Sequence, residues 1–142
     1  MDKAGNQTLL LVKPTAVHNN YIGGILKIVN DTGFRIGAIK LVNLKKWQAE
    51  RFYRVHAEKP FYGELTDFIA SGPVLATLLI KENAVKELRE LIGATNPKEA
   101  KEGTIRQRYG QSTTHNAVHA SDTDENATHE VDFFFSLVER FE

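Results

Sequence analysis

The runs Thr8-Leu9-Leu10-Leu11-Val12 and Val74-Leu75-Ala76-Thr77-Leu78-Leu79-Ile80 constrain the fold more than any other feature of the chain. Neither alternates with polar residues, and each meets breakers: Lys13-Pro14 follows the first and Ser71-Gly72-Pro73 precedes the second. A short, uninterrupted apolar run of this kind reads as a strand buried on both faces. The fold is therefore expected to centre on a sheet wrapped by other elements. At 142 residues the chain is long enough to do this alone, since a domain of that size hides roughly 68–70% of the surface its unfolded form exposes.

Between and after these runs the period changes. Ile22, Ile25, Ile28 and Val29 fall at helical spacing, and Gly33 follows as a left-handed stop. Residues 34–42, rich in Ile and Val, read as a strand. Residues 44–56 read as a helix with Trp47, Phe52 and Val55 near one face, broken at Lys59-Pro60. A short helix over 63–70 follows. Asn83 is placed to cap a helix whose stripe is Val85, Leu88 and Leu91 or Ile92, closed by Gly93. Residues 94–114 are polar without a period, and a loop of that length inside a domain is a candidate for function. Residues 116–120 give a last strand. Asp122 with Glu125 resembles a capping box before a helix with Ala127, Val131, Phe134 and Phe135 on its apolar side. The order β-α-β-β-α-β plus a terminal helix predicts an α+β, ferredoxin-like sandwich. Its four-stranded antiparallel sheet carries helices on one face, with additional helices, in one domain over 1–142.

Composition removes several function classes. Eighteen basic residues balance 18 acidic ones, so there is no polybasic arm for nucleic acid or anionic membrane. There is no cysteine, which excludes disulfides and thiolate chemistry. The first residues lack the apolar stretch of a secretion signal, and no apolar run approaches the ~20 residues of a membrane span. A soluble, cytoplasmic protein is the expectation.

Candidate chemistry concentrates near element ends. His115 and His119 suggest a metal pair, but in an extended segment four residues span about 13 Å, too far for both rings to share one zinc. His119, Ser121 and Asp122 are too crowded in sequence for a Ser-His-Asp triad, and no Gly-x-Ser-x-Gly elbow is present. Asp122 reads equally as a helix cap and as a functional carboxylate. Lys13, Arg89 and Arg106, each ordinary as a single surface charge, gain meaning beside Thr95-Asn96-Pro97 and Gly103-Thr104-Ile105-Arg106. Hydroxyls and a forked cation together suit phosphate. No glycine-rich Walker cradle occurs, so such a phosphate site is built from side chains. Phe61, in Lys59-Pro60-Phe61-Tyr62, is either core or a ring on which a base stacks.

The segment Asn116-Ala117-Val118-His119-Ala120-Ser121-Asp122-Thr123 closely resembles the active-site motif of the nucleoside diphosphate kinases. Lys13-Pro14, Lys59-Pro60-Phe61, Ser71-Gly72-Pro73, Gly93-Ala94-Thr95-Asn96-Pro97 and Gly103-Thr104-Ile105-Arg106 match that family in the same order and spacing, over nearly the whole chain. The resemblance implies transfer of the γ-phosphate of a nucleoside triphosphate, mainly ATP, to a nucleoside diphosphate by a ping-pong route. His119 is the implied nucleophile and phosphohistidine, with Glu130 and Ser121 holding its ring. Neutral imidazole is a competent nucleophile, and its P–N bond passes the phosphoryl group onward.

Carried over residue by residue, Lys13, Arg89, Thr95, Arg106 and Asn116 match the family's nucleotide contacts. Tyr53 approaches the transferred group, and Phe61 stacks on the base. Mg²⁺ is the implied cofactor, held mainly by the nucleotide phosphates. Substrates are then ATP, GTP and other triphosphates, with ribo- and deoxyribonucleoside diphosphates as acceptors. The resemblance also implies a homo-oligomer, tetramer or hexamer, and neither membrane nor nucleic acid is expected as a partner. Three positions depart from the family pattern: Ala120 stands where glycine is usual, Thr15 replaces an acidic or amide residue, and Thr113 replaces an apolar one beside the base. Ala120 is harmless only at negative φ. Two other readings compete: a nucleic-acid-binding module on the same fold, against which stands the absence of an aromatic RNA-binding strand motif, and an inactive assembly unit, against which stand His119, Glu130 and Arg106.

Overall fold

A computed structural model describes residues 5–141. Strand β1 (Gln7–Val12) leads through Lys13 into a short helix α1 (Pro14–His18), with proline at its first position, where a missing N–H costs nothing. Helix α2 (Ile22–Asp31) buries Ile25 and Val29, and Gly33 follows at φ 94° as the expected left-handed stop. Strand β2 (Arg35–Val42) precedes α3 (Lys46–Phe52), a 3₁₀ turn at Arg54–His56 and α4 (Tyr62–Ile69). Strand β3 (Val74–Ile80) precedes α5 (Ala84–Ile92), a 3₁₀ turn at Pro97–Glu99 and α6 (Ile105–Tyr109). Strand β4 (Val118–Ala120), α7 (Asp124–Phe134) and a 3₁₀ turn at Leu137–Glu139 complete the order.

The four strands form one antiparallel sheet in the order β2-β3-β1-β4, the ferredoxin-like arrangement expected from the element order. The expectation of helices on one face is corrected. Leu10, Val12, Leu75 and Leu79 pack with residues of α2, α5 and α6 on one side. Leu9, Leu11, Ala76 and Leu78 pack with residues of α3, α4 and α7 on the other. This is why β1 and β3 read as unbroken apolar runs: both faces of the central strands are covered. Leu9, Leu10 and Leu11 are fully buried, each worth about 1.5–3 kcal/mol relative to exposure.

Local expectations are corrected in four places. Trp47 and Val55 do not face the core, being 56% and 73% exposed; Ala49 and Tyr53, one helical turn apart, are the buried positions there. Asn83 precedes α5 in a left-handed conformation (φ 56°) without a side-chain capping bond. Residues 94–114 are not one loop, since α6 and a 3₁₀ turn lie within them. The cap of α7 is Thr123, whose hydroxyl accepts from the Asn126 N–H, whereas Asp122 accepts from the Asn126 side chain.

Candidate active site

The carboxyl end of β1 and the start of β4 meet side by side, and that junction positions the site. Lys13 N–H donates to the Ala117 carbonyl at 2.9 Å, while Lys13 Nζ donates to Asn116 Oδ1 at 2.7 Å. Asn116 in turn donates through Nδ2 to the Thr95 carbonyl at 3.0 Å, tying the loop after α5 to the same point. Ala117 lies at φ 77° with the Val118 N–H bonded to the Asn116 carbonyl, a tight three-residue turn. A non-glycine residue in that region carries local strain, of the kind found beside functional groups. The turn delivers His119 onto the short strand β4. Ala120 is not among the residues with positive φ, so alanine fits at that position.

His119 is partly buried and firmly held. Its Nε2 lies 2.7 Å from Glu130 Oε1, an oxygen that also accepts from Ser121 Oγ at 2.8 Å. Ser121 Oγ itself accepts from the Leu9 N–H at 3.3 Å, so the chain of bonds ends on the central strand. A carboxylate only accepts, so against Glu130 it is Nε2 that donates, and in the neutral imidazole this tautomer leaves the lone pair on Nδ1. Nδ1 makes no hydrogen bond among the described residues. The rings of Phe52 and Tyr53 stand edge-on to the imidazole, with centroids 5.3 and 5.7 Å away. Hydrogen bonding fixes one ring nitrogen and packing fixes the plane.

A cavity of about 340 Å³ opens beside this ring, and Lys13, Tyr53, Phe61, Thr95, Arg106, Asn116 and His119 all line it. Arg106 comes from α6, with Nη1 donating to the Gly93 carbonyl at 3.2 Å and Nη2 to the Val118 carbonyl at 3.0 Å. Its buried Nε and the buried Tyr53 Oη have no protein partner among the described residues, so two polar atoms at the cavity wall await a ligand. Burial, then the Arg106 charge, pulls the Lys13 ammonium down to about 7. Burial, then Arg89, lowers Arg106 to about 10. Burial raises the Tyr53 phenol, with the Glu130 charge adding to the effect. Mutual repulsion of cations, each disfavoured by burial, marks a pocket that gains from an anion.

Two candidates lie apart. Arg89 lines an adjoining depression with Lys86, Asp122 and Thr123 rather than the cavity, although its Nη1 is within 3.5 Å of the Ala120 carbonyl. Ser121 is buried and meets the His119 ring through Glu130. His115 and His119 serve separately, His115 bonding Thr15 and His119 bonding Glu130. Among the described residues no group of three or more His, Asp or Glu is disposed to hold a metal.

Sequence reasoning missed His56, Glu64, Leu65 and Thr114 in the cavity wall. Glu64 and Leu65 stand three and four positions after Phe61 at the start of α4, a helical spacing that would have put them on its face. His56 sits on a 3₁₀ turn, which leaves no periodic trace; burial, then the charges of Lys59 and His119, lowers its pKa.

The nucleoside diphosphate kinase family profile matches residues 6–139. A nucleoside diphosphate kinase of Flavobacterium psychrophilum is 50% identical over 138 residues, 97% of this chain and 99% of that one. One from Chlamydia trachomatis is 53% identical over 133 residues, 94% of each chain. Among solved structures, the Aquifex aeolicus nucleoside diphosphate kinase superposes with TM-score 0.93 at 41% identity, covering 95% of this chain and 98% of that one. The Halobacterium salinarum enzyme in complex with CDP superposes with TM-score 0.92 at 33% identity, covering 97% and 92%.

Proposed function

The chain belongs to the nucleoside diphosphate kinase family, and from that premise we propose that His119 Nδ1 carries the phosphoryl group between nucleotides. The protein is a phosphotransferase that acts on nucleotides. In the proposed first half-reaction the Nδ1 lone pair attacks the γ-phosphorus of a triphosphate such as ATP or GTP. The P–N bond forms as the bond to the β-γ bridging oxygen breaks, and a nucleoside diphosphate leaves with that electron pair. In the second, a terminal oxygen of an incoming ribo- or deoxyribonucleoside diphosphate attacks the same phosphorus and the P–N pair returns to Nδ1. Nε2 keeps its proton throughout, donated to the Glu130 carboxylate, whose negative charge offsets the positive charge that develops on the ring.

Most catalysis in phosphoryl transfer is positioning and charge stabilisation of the equatorial oxygens. Arg106 and Lys13 supply that charge from the cavity wall, Tyr53 Oη approaches the transferred group, and Thr95 and Asn116 contact phosphate and ribose. Arg89 is assigned to the phosphates as well, reaching them from the adjoining depression. Phe61 takes the base on its face, which is indifferent to base identity. Mg²⁺, carried on the nucleotide's own phosphate oxygens, adds further charge neutralisation when bound. Lys13 and Arg106 stand in the cavity wall with one carboxylate, Glu64, a donor set that suits an ion brought in on the substrate's phosphates.

One domain over 1–142 is the proposed unit, in a cytoplasmic homo-oligomer, tetramer or hexamer. Edge strand β2 leaves Ile39 and Leu41 exposed, which supports self-association. Among the described residues no helix is long and apolar enough to cross a membrane.

The observation that carries the mechanism is the His119–Glu130–Ser121 chain facing a cavity lined by buried cations. ATP labelled in its terminal phosphate is expected to give an alkali-stable, acid-labile adduct discharged by any nucleoside diphosphate, and His119→Ala to give none. Label accepted and passed on by His119→Ala would overturn the assignment.

A further inference from the structure

Thr15 lies two residues beyond Lys13, at the second position of α1. A 2.8 Å hydrogen bond joins its Oγ1 to His115 Nδ1, across 100 residues of sequence. The bond runs beside the two that Lys13 makes with Ala117 and Asn116, so α1 and the segment entering β4 are joined by three successive rungs. Only the third lies outside the proposed nucleotide machinery.

His115 has a second attachment. Its ring packs against Phe68, tilted by 43° with centroids 4.2 Å apart, and Phe68 belongs to α4, whose first turn brings Glu64 and Leu65 to the cavity. The backbone around His115 closes a small loop: its carbonyl accepts from the Gln111 N–H at 2.8 Å, and its N–H donates to Ser112 Oγ at 3.1 Å. The tip of that loop is Thr113 and Thr114, both in the cavity wall, and Thr114 Oγ1 donates to Glu64 Oε1 at 3.2 Å. His115 is therefore fastened to α1 by a hydrogen bond and to α4 by its ring face, and the residues on either side of it in sequence face the nucleotide cavity.

We infer that Thr15, His115 and Phe68 form a clasp that sets where Asn116 stands and how far the 111–116 loop lies from the Phe61 side of the cavity, and so governs nucleotide affinity. None of the three touches substrate or the reacting atoms; they are positioning residues. The inference rests on the nucleotide reading of this cavity. Because the clasp acts on a wall rather than on a base edge, it influences all nucleotides alike. It leaves the His119–Glu130–Ser121 chain, which is anchored on β1 and α7, unaltered.

Thr15→Val removes the third rung and keeps the side-chain shape. The loss of one net hydrogen bond predicts nucleotide KM raised about 2- to 12-fold, equally for purine and pyrimidine diphosphates, with kcat retained. Thr15→Ser restores the wild-type KM. His115→Phe keeps the ring contact with Phe68 but not the bond, and Thr15→Val added to it gives no further rise. A merely structural role predicts a lower melting temperature and a smaller active fraction at unchanged KM, and that result would overturn the clasp, as would additive effects of the two substitutions. ADP affinity is measured by calorimetry in parallel. If the unsubstituted protein forms no labelled His119, the phosphohistidine is refuted, while the clasp is still judged on whether Thr15→Val weakens ADP binding.

Discussion

At one end of the cavity His119, Ser121 and Glu130 share a closed chain of hydrogen bonds rooted in the Leu9 backbone, with Phe52 and Tyr53 fixing the ring plane. At the other end Phe61, Glu64 and Thr113 stand exposed, Phe61 with 47% of its surface in solvent. The first end is ordered before any nucleotide arrives, which is what chemistry at a single nitrogen requires. The second offers the ring face of Phe61 beside the side chains of Glu64 and Thr113. On the proposed reading, rigidity at the His119 end and openness at the Phe61 end are together the physical basis for broad nucleotide acceptance.

Breaking the ordered end has the largest expected effect. Glu130→Ala frees Nε2 and the Ser121 hydroxyl together, and the imidazole is then held by packing alone. Misplacement of a reacting group by about 1 Å costs about 10²-fold, so kcat is expected to fall by that order with nucleotide KM little changed. Steady-state and single-turnover labelling measure it. A rise in KM at constant kcat would mean that Glu130 serves binding and that the two ends are not functionally distinct.

The open end predicts a smaller and less selective loss. Phe61→Ala removes the ring on which the base is proposed to lie, and the ring is already shared with His56 at 5.7 Å and with Lys59 Nζ at 5.7 Å. Stacking at a half-exposed ring predicts KM raised about tenfold for adenine, guanine and cytosine nucleotides alike. A loss confined to one base, read from KM values across a nucleotide panel, would show that this end discriminates after all.

The two ends also differ in how legible they were from sequence. His119, Ser121 and Glu130 lie within 12 consecutive positions, on a strand and the helix after it, so their meeting follows from local geometry. β3 begins and ends where its apolar run does, because a strand covered on both faces leaves no polar position to blur its ends. The rest of the cavity wall is made largely by short or irregular pieces. α6 has 5 residues, too few to show a helical period, and His56 sits on a 3₁₀ turn. Trp47 and Val55 misled because apolar side chains at helical spacing define a face without saying which way it points; the small Ala49 is what packs on the sheet. The Thr15–His115 bond had no sequence signal, since a contact between residues so far apart depends on the register of β1 against β4.

Lys13 belongs to both ends, and its titration gives the smallest and most specific test. Its ammonium is lowered from 10.5 to about 7 by burial and by Arg106. The depressed value means that between about pH 7 and 10.5 the unfolded chain holds a proton that the folded one lacks, so this group's contribution to stability rises with pH across that window and is lost as pH falls through about 7. Nucleotide binding reverses the bias. Phosphate beside Nζ favours the charged form, so binding at pH 8 takes up a proton, and if only the charged form binds, affinity falls about fivefold between pH 7 and 8. Calorimetry of ADP in two buffers of different ionisation heat reads the uptake directly. The nucleotide's own terminal phosphate contributes equally in wild type and in Lys13→Met, so the difference between them isolates the lysine. Equal proton uptake by the two proteins would mean that Lys13 is already charged in the free cavity and that Asn116 Oδ1, rather than the arriving phosphate, is its effective counterpart.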